Sequence, residues 1–177
     1  TLVPPYLTIP LMDDILIPFQ NGQHIVVGYN SSAGAVVEFF PGFGLFFTQV
    51  LFSGFSTSHD GGRTWTSGFL PPVSPDSPFT FGDPSLAMDR NGVIYYASLG
   101  TDEVGNSSVN INRSTDNGTS FEPAIVVVRD DGSDKEWLAI GPDPVQRSRD
   151  NLYITWTSFT ATGSELHLAK SIDGGLT

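Results

Sequence analysis

Apolar residues along this 177-residue chain alternate with polar ones over short runs, and nowhere does a 3.6-residue apolar period persist. Such runs predict β-strands punctuated by turns. His24–Tyr29 reads as a buried strand. Gly34–Phe55 reads as a long hairpin whose turn is marked by Pro41, Gly42 and Gly44. Strands follow at Pro84–Met88 and Val93–Leu99, joined by Asp89-Arg90-Asn91-Gly92, in which Asn-Gly is a strong hairpin signal. Ser108–Ser114 and Ala124–Val128 come next, with Pro123 suited to an outer edge that tolerates a missing N–H. The last strands are Trp137–Ile140, Leu152–Thr157 and Glu165–Ser171, with an insertion at Pro142–Asp150. Residues 1–20 hold Pro4, Pro5, Pro10 and Pro18 and suit an extended leader or an edge strand. Glu38 is the only charge within Gly34–Phe55, where Phe39, Phe40, Phe43, Phe46, Phe47, Phe52 and Phe55 crowd together. A membrane helix would need about 20 apolar residues without such a turn. Core packing is expected for these rings, and an exposed apolar patch for a partner or a missing blade is the alternative.

One octet organises this pattern. Ser58-His59-Asp60-Gly61-Gly62-Arg63-Thr64-Trp65 is answered by Ser114-Thr115-Asp116-Asn117-Gly118-Thr119-Ser120-Phe121 and by Ser171-Ile172-Asp173-Gly174-Gly175-Leu176-Thr177. The first Ser residues stand 56 and 57 positions apart, the signature of a repeated supersecondary unit. Short Ser and Asp side chains accept hydrogen bonds from nearby N–H groups and hold a turn. The Gly two after Asp supplies a positive φ. The closing Trp or Phe is expected to fold its apolar area back between adjacent sheets. Asp60, Asp116 and Asp173 are therefore expected to form turns rather than to catalyse. The repeat extends outward: Gly82–Met88 is answered by Asp134–Ile140, and Gly92–Ser98 by Asn151–Thr157.

These octets resemble the Asp boxes, or bacterial neuraminidase repeats, of the sialidase superfamily of β-propellers, and the resemblance covers residues 20–177. It marks Ser58, Asp60, Gly62, Thr64, Trp65, Ser114, Asp116, Gly118, Phe121, Ser171, Asp173 and Gly175 as box positions that close hairpins at the blade periphery. It implies an all-β propeller portion of about three four-stranded blades, approximately 1–73, 74–129 and 130–177. Propellers close with about four to eight blades, so three make an incomplete ring. The chain is expected to be a fragment or processed piece, completed by further blades or another subunit. The likeness is to secreted proteins above all, which implies an extracellular or cell-surface setting and a glycan or glycoprotein partner.

Eight Lys and Arg against nineteen Asp and Glu give a net charge of −11. That argues against a phosphate-backbone partner, which requires clustered cations. The chain has no cysteine, so disulfides, zinc-thiolate sites and thiol nucleophiles are excluded. Sequons begin at Asn30, Asn106, Asn112 and Asn117.

In a propeller the first strand of each blade lines the central channel, and the turns entering it form the mouth. Asp83 and Asp134-Lys135-Glu136 hold equivalent places there. Asp83, Asp134 and Glu136 are the candidate catalytic residues, expected to share one cavity as an acid/base pair or a cation site for Ca²⁺, with Lys135 as a substrate-binding residue. In the bland alternative Asp83 caps a turn before Pro84 and Lys135 pairs with a rim carboxylate. The sialidase resemblance further implies an arginine triad, a Tyr nucleophile helped by Glu, and an Asp acid/base. Its first arginine precedes Ile-Pro, where this chain has Thr8-Ile9-Pro10, and Thr cannot replace a guanidinium. Arg63 and Arg90 read as surface residues. Tyr95, Tyr96 and Tyr153 suit buried packing, and His24, His59 and His167 are too scattered for a metal triad. The reading is thus a glycan-active or glycan-binding sialidase-like propeller, an exo-glycosidase if catalytic, against a non-catalytic scaffold or adhesion propeller.

Overall fold

The computed structural model describes residues 15–18 and 23–177. It is all-β, with eleven strands among these residues and no helix. Strands β1 (Ile15–Pro18), β2 (Ile25–Phe40), β3 (Gly44–Ser58) and β4 (Thr66–Phe69) form one antiparallel group. Strands β5 (Phe79–Met88), β6 (Ile94–Thr101), β7 (Ser107–Ser114) and β8 (Ile125–Arg129) form a second. Strands β9 (Ser133–Pro142), β10 (Asp150–Thr160) and β11 (Gly163–Ser171) form a third. A two-residue parallel contact, Val50 with Phe79 and Leu51 with Thr80, joins the first group to the second. Two four-stranded meanders followed by one that has three strands among the described residues, where four were expected, are consistent with the blades of a propeller.

Two apolar layers hold the groups together. Val26, Phe55, Leu86, Ile94, Tyr96 and Phe121 pack between the first and second, and Tyr95, Ala97, Ile111, Leu138, Leu152 and Ile154 between the second and third. Strands β6 and β7 are covered on both faces, which is why Ile94–Ser98 is an unbroken buried run whose neighbours Tyr95 and Tyr96 serve opposite layers. Among the described residues the third group is covered on one face only. Its other face carries Trp137 and Leu168, both aligned with Thr155, and Leu166 aligned with Thr157, all three exposed.

The phenylalanine cluster departs from the expected core. Phe55 is buried, but Phe39, Phe40, Phe43, Phe46 and Phe47 are exposed. The reason lies in the pairing: β1 reaches only Ile25–Gly28 and β4 only Gly54–Thr57, so the β2–β3 hairpin outruns its neighbours. Most of the leader, including Thr8-Ile9-Pro10, lies outside the described residues, while Ile15–Pro18 forms the edge strand β1.

Candidate functional site

The inner strands of the second and third groups carry the same irregularity. Asp83 and Pro84 together oppose Ser98, and Lys135 and Glu136 together oppose Trp156, so each strand bulges by one residue at an equivalent point. Asp83 has φ 56° and Lys135 φ 55°. Left-handed backbone at a residue with a Cβ stores strain. In the second group that strain is supported from the first: Asn30 Oδ1 accepts the Asp83 N–H at 2.8 Å.

The bulges bring the candidate residues together. Lys135 Nζ donates to Asp83 Oδ2 at 2.8 Å and lies 3.8 Å from Asp134 Oδ1, which also accepts the Lys135 N–H at 2.9 Å. The hydrogen bond to Asp83 raises the lysine above its ordinary pKa. Glu136 points the other way along the pleat and is 3% exposed. Neither of its carboxyl oxygens meets a hydrogen-bond partner from another residue among those described. Burial pushes its pKa up to about 9, with smaller additions from the charges of Asp83 and Asp134 and a small offset from Lys135. Asp83 and Asp134 meet around the Lys135 ammonium group, which stands where a cation such as Ca²⁺ would bridge them. Desolvation, ahead of the neighbouring charges, is the main cause of the raised Glu136 carboxyl.

The octets share one hydrogen-bond pattern. Ser58, Ser114 and Ser171 each accept the N–H of the glycine four residues on, at 2.8, 2.9 and 2.9 Å, and donate to the Asp two residues on. Asp60 takes the Arg63 and Thr64 N–H groups and the Thr64 hydroxyl, led by the Thr64 N–H in holding it far below the usual carboxylate range. Asp173 is lowered similarly, first by the Thr177 hydroxyl and then by Ser171. At Asp116 partial burial pulls upward but is outweighed by the Ser120 hydroxyl and N–H. The residue directly after each Asp is also left-handed, which explains why Gly61, Asn117 and Gly174 stand there. Gly118 answers a second demand, since a Cβ there would lie 2.3 Å from Val26 Cγ2.

The closing aromatics differ. Phe121 is 7% exposed and meets the rings of Phe55 and Tyr96 at 4.9 and 6.0 Å, seated between the first two groups. Trp65, expected to fold between sheets, is 45% exposed and donates its Nε1–H to Gly62 O. No described group packs on its side of the first octet as the first group packs on Phe121.

All six arginines lie within the described residues, and none joins the Asp83–Lys135 cluster. Arg90 clasps Asp150 and the carbonyls of Arg147 and Arg149, tying the second group to the third. Arg129 holds Asp102 and Glu103, Arg149 holds Asp143, and Arg113 lies 3.8 Å from Glu122. Tyr95 and Tyr96 are buried as expected. His24 and His59, far apart in sequence, meet at 2.7 Å. Their pairing follows from strand register, with Ile25 opposite Ser58, rather than from any local motif. Among the described residues no group of three His, Cys, Asp or Glu can hold a metal. Asn112 is fully buried and donates to Pro71 O and Glu122 O, so its sequon is closed in the folded chain.

No protein-family model and no curated protein matches the chain. Solved structures do. A protein of unknown function from Dyadobacter fermentans superposes with a TM-score of 0.60 at 17% identity, over 92% of this chain and 48% of its own. The Hadza microbial sialidase Hz136 superposes with a TM-score of 0.57 at 18% identity, over 93% of this chain and 35% of its own. The chain thus spans about half the length of the first of these structures and about a third of the second. What the likeness establishes is the fold, a distant sialidase-like all-β architecture.

Proposed function

We propose that the chain is the glycan-binding portion of a sialidase-like propeller on a secreted or cell-surface protein, with the bulge cluster of Asp83, Asp134 and Lys135 as its contact site. The observation that carries this reading is the pair of left-handed, non-glycine residues at equivalent bulges, Asp83 and Lys135, joined through their side chains. Strain maintained at two repeats and spent on presenting one polar cluster is the kind of backbone feature that marks binding sites. The carboxylates of Asp83 and Asp134 can accept sugar hydroxyls, and Lys135 can donate. Two carboxylates beside one ammonium favour a neutral, hydroxyl-rich sugar over an anionic one, because a sugar carboxylate calls for a guanidinium fork. Exo-glycosidase action of the sialidase type would require arginines from the part of the ring beyond these blades. Glu136, neutral at pH 7, buried and turned the other way along the pleat, is not part of this contact site.

The engagement of Arg90, Arg113, Arg129 and Arg149 with structural carboxylates favours the second reading, a non-catalytic scaffold or adhesion propeller. Immobilised neutral and sialylated oligosaccharides separate the two. Retention of neutral glycans, weakened in Asp83→Asn and Asp134→Asn variants that keep the parent's melting temperature, supports binding at the cluster. Retention unaltered in both variants, or no retention at all, removes it and leaves the scaffold.

A further inference from the structure

The projecting part of the β2–β3 hairpin carries apolar side chains on both faces, with Glu38 opposite Phe46 as its one charge. In its antiparallel register Phe39 stands opposite Leu45 on one face, while Phe40 and Phe46 share the other with their rings 6.0 Å apart. Phe43 crowns the turn and is 81% exposed. Glu38 is the only charged residue between Ile25 and Ser58. A soluble protein seldom exposes a continuous apolar surface of this kind without using it.

We infer that this hairpin docks into a zwitterionic lipid surface. A protein partner would cover one face of a two-stranded ribbon and would be oriented by a polar rim, but here apolar side chains occupy both faces and the tip, Glu38 is the one charge among them, and no cation stands at the rim. A lipid surface surrounds a projecting tip on every side and needs no oriented mate. Depth is limited by the backbone. Among the described residues Val36–Phe40 and Gly44–Gln49 pair only with each other, so their outer N–H and C=O groups need water or headgroups. The hairpin therefore sits in the interfacial zone rather than spanning the bilayer. A net charge of −11 and the absence of Lys and Arg nearby select uncharged lipid over anionic lipid.

Topology fixes which end of the molecule would face the lipid. Strands β3 and β5 run parallel where Val50 meets Phe79, and Gly44 precedes Val50 by six residues. At about 3.3 Å per residue the tip reaches roughly 20 Å beyond that pair. It projects from the end at which β5 enters towards Asp83. This inference stands whether or not the Asp83 cluster binds glycan.

The test is flotation of the 177-residue chain with phosphatidylcholine vesicles at physiological salt. The parent is expected to float with the vesicles. A Phe39→Ser/Phe43→Ser/Phe46→Ser variant with an unchanged circular dichroism spectrum is expected to lose at least about tenfold in bound fraction. A Leu166→Ser/Leu168→Ser variant, altered on the open face of the third group, is expected to float like the parent. Should the triple variant misfold, Phe43→Trp gives a second reading, its fluorescence being quenched by lipids brominated near the headgroup end of the acyl chain. Failure of the parent to float, flotation of the folded triple variant, or absence of quenching overturns the inference. So does a lipid-free dimer that the three hairpin substitutions dissolve, since it would assign the surface to a second copy of the chain.

Discussion

Replacing Glu136 by Gln is expected to make the protein more stable above neutral pH while making it less stable in mild acid, where only the cost of the unpaired amide remains. The carboxyl is buried without a partner from another residue, and its pKa rises from an ordinary value of 4.5 to about 9. In the unfolded chain it ionises normally. Because the folded value lies above the unfolded one, the associated stability is fully present below about pH 4.5 and is lost as pH rises towards 9. Each pH unit in that window costs about 1.4 kcal/mol, so the parent at pH 7.5 has lost about 4 kcal/mol to keeping this group neutral. Gln cannot ionise and removes the slope, although its amide leaves a buried donor unpaired at about 1–3 kcal/mol. The net gain at pH 7.5 is therefore about 1–3 kcal/mol. Urea unfolding followed by tryptophan fluorescence between pH 5 and 8 at constant ionic strength measures it. The carboxylates lowered in the folded state act only at more acid pH, so they leave this window clear. Parallel parent and variant curves would refute the reasoning. Since burial outweighs the nearby charges, Asp83→Asn should leave most of the slope in place, and a slope abolished by Asp83→Asn would show that like charges dominate.

Phe121→Ala is expected to cost about 3–5 kcal/mol by emptying a seat between two groups, whereas Trp65→Ala, at a half-exposed ring, costs less than about 1 kcal/mol. Urea midpoints compare the two, and equal losses would mean that Trp65 is buried against part of the chain after all. The 177-residue chain is expected to self-associate through the exposed face bearing Trp137, Leu166 and Leu168, and the Leu166→Ser/Leu168→Ser variant to do so less. Sedimentation velocity over a range of concentrations tests this, a monodisperse parent being the contrary result.

Strand positions were legible because local pattern sets them. Asn91-Gly92 closes its hairpin, and the alternation in Leu152–Thr157 becomes one face on Leu138 and one face open. The octet geometry was legible for the same reason, since the hydrogen bonds that its three copies share span four residues or fewer. The paired left-handed conformations at Asp83 and Lys135 were not, because they depend on a bulge against a partner strand, although the alignment of Gly82–Met88 with Asp134–Ile140 already placed the two residues in register. The exposure of Phe39–Phe47 was also hidden. Composition tells that a hairpin is apolar, but only the lengths of β1 and β4 decide that no neighbouring strand among the described residues covers its tip.

The repeat makes one more demand that the structure allows to be weighed. Phe121 closes the second octet by entering a seat walled by Phe55 and Tyr96. One repeat later the equivalent positions by strand register are Ile111 and Ile154, and both line an apolar cavity of about 120 Å³ that also touches Leu138, Leu152, Gly175 and Thr177. Thr177 closes its octet with the hydroxyl-to-Asp173 bond that Ser120 makes to Asp116 just before Phe121, so the next side chain would be aimed at the cavity mouth. A chain carrying a phenylalanine appended after Thr177 is therefore expected to be more stable than one carrying an appended alanine. The gain should be about 1.5–3 kcal/mol, the value of burying such a ring, and nearer the lower figure because isoleucine walls offer no ring-to-ring contact. Urea midpoints of the two extended chains, measured at concentrations where both are monomeric, decide it. Equal midpoints would mean that the cavity closes by relaxation of Ile111 and Ile154, and that the interval between octets repeats the turn without repeating its anchor.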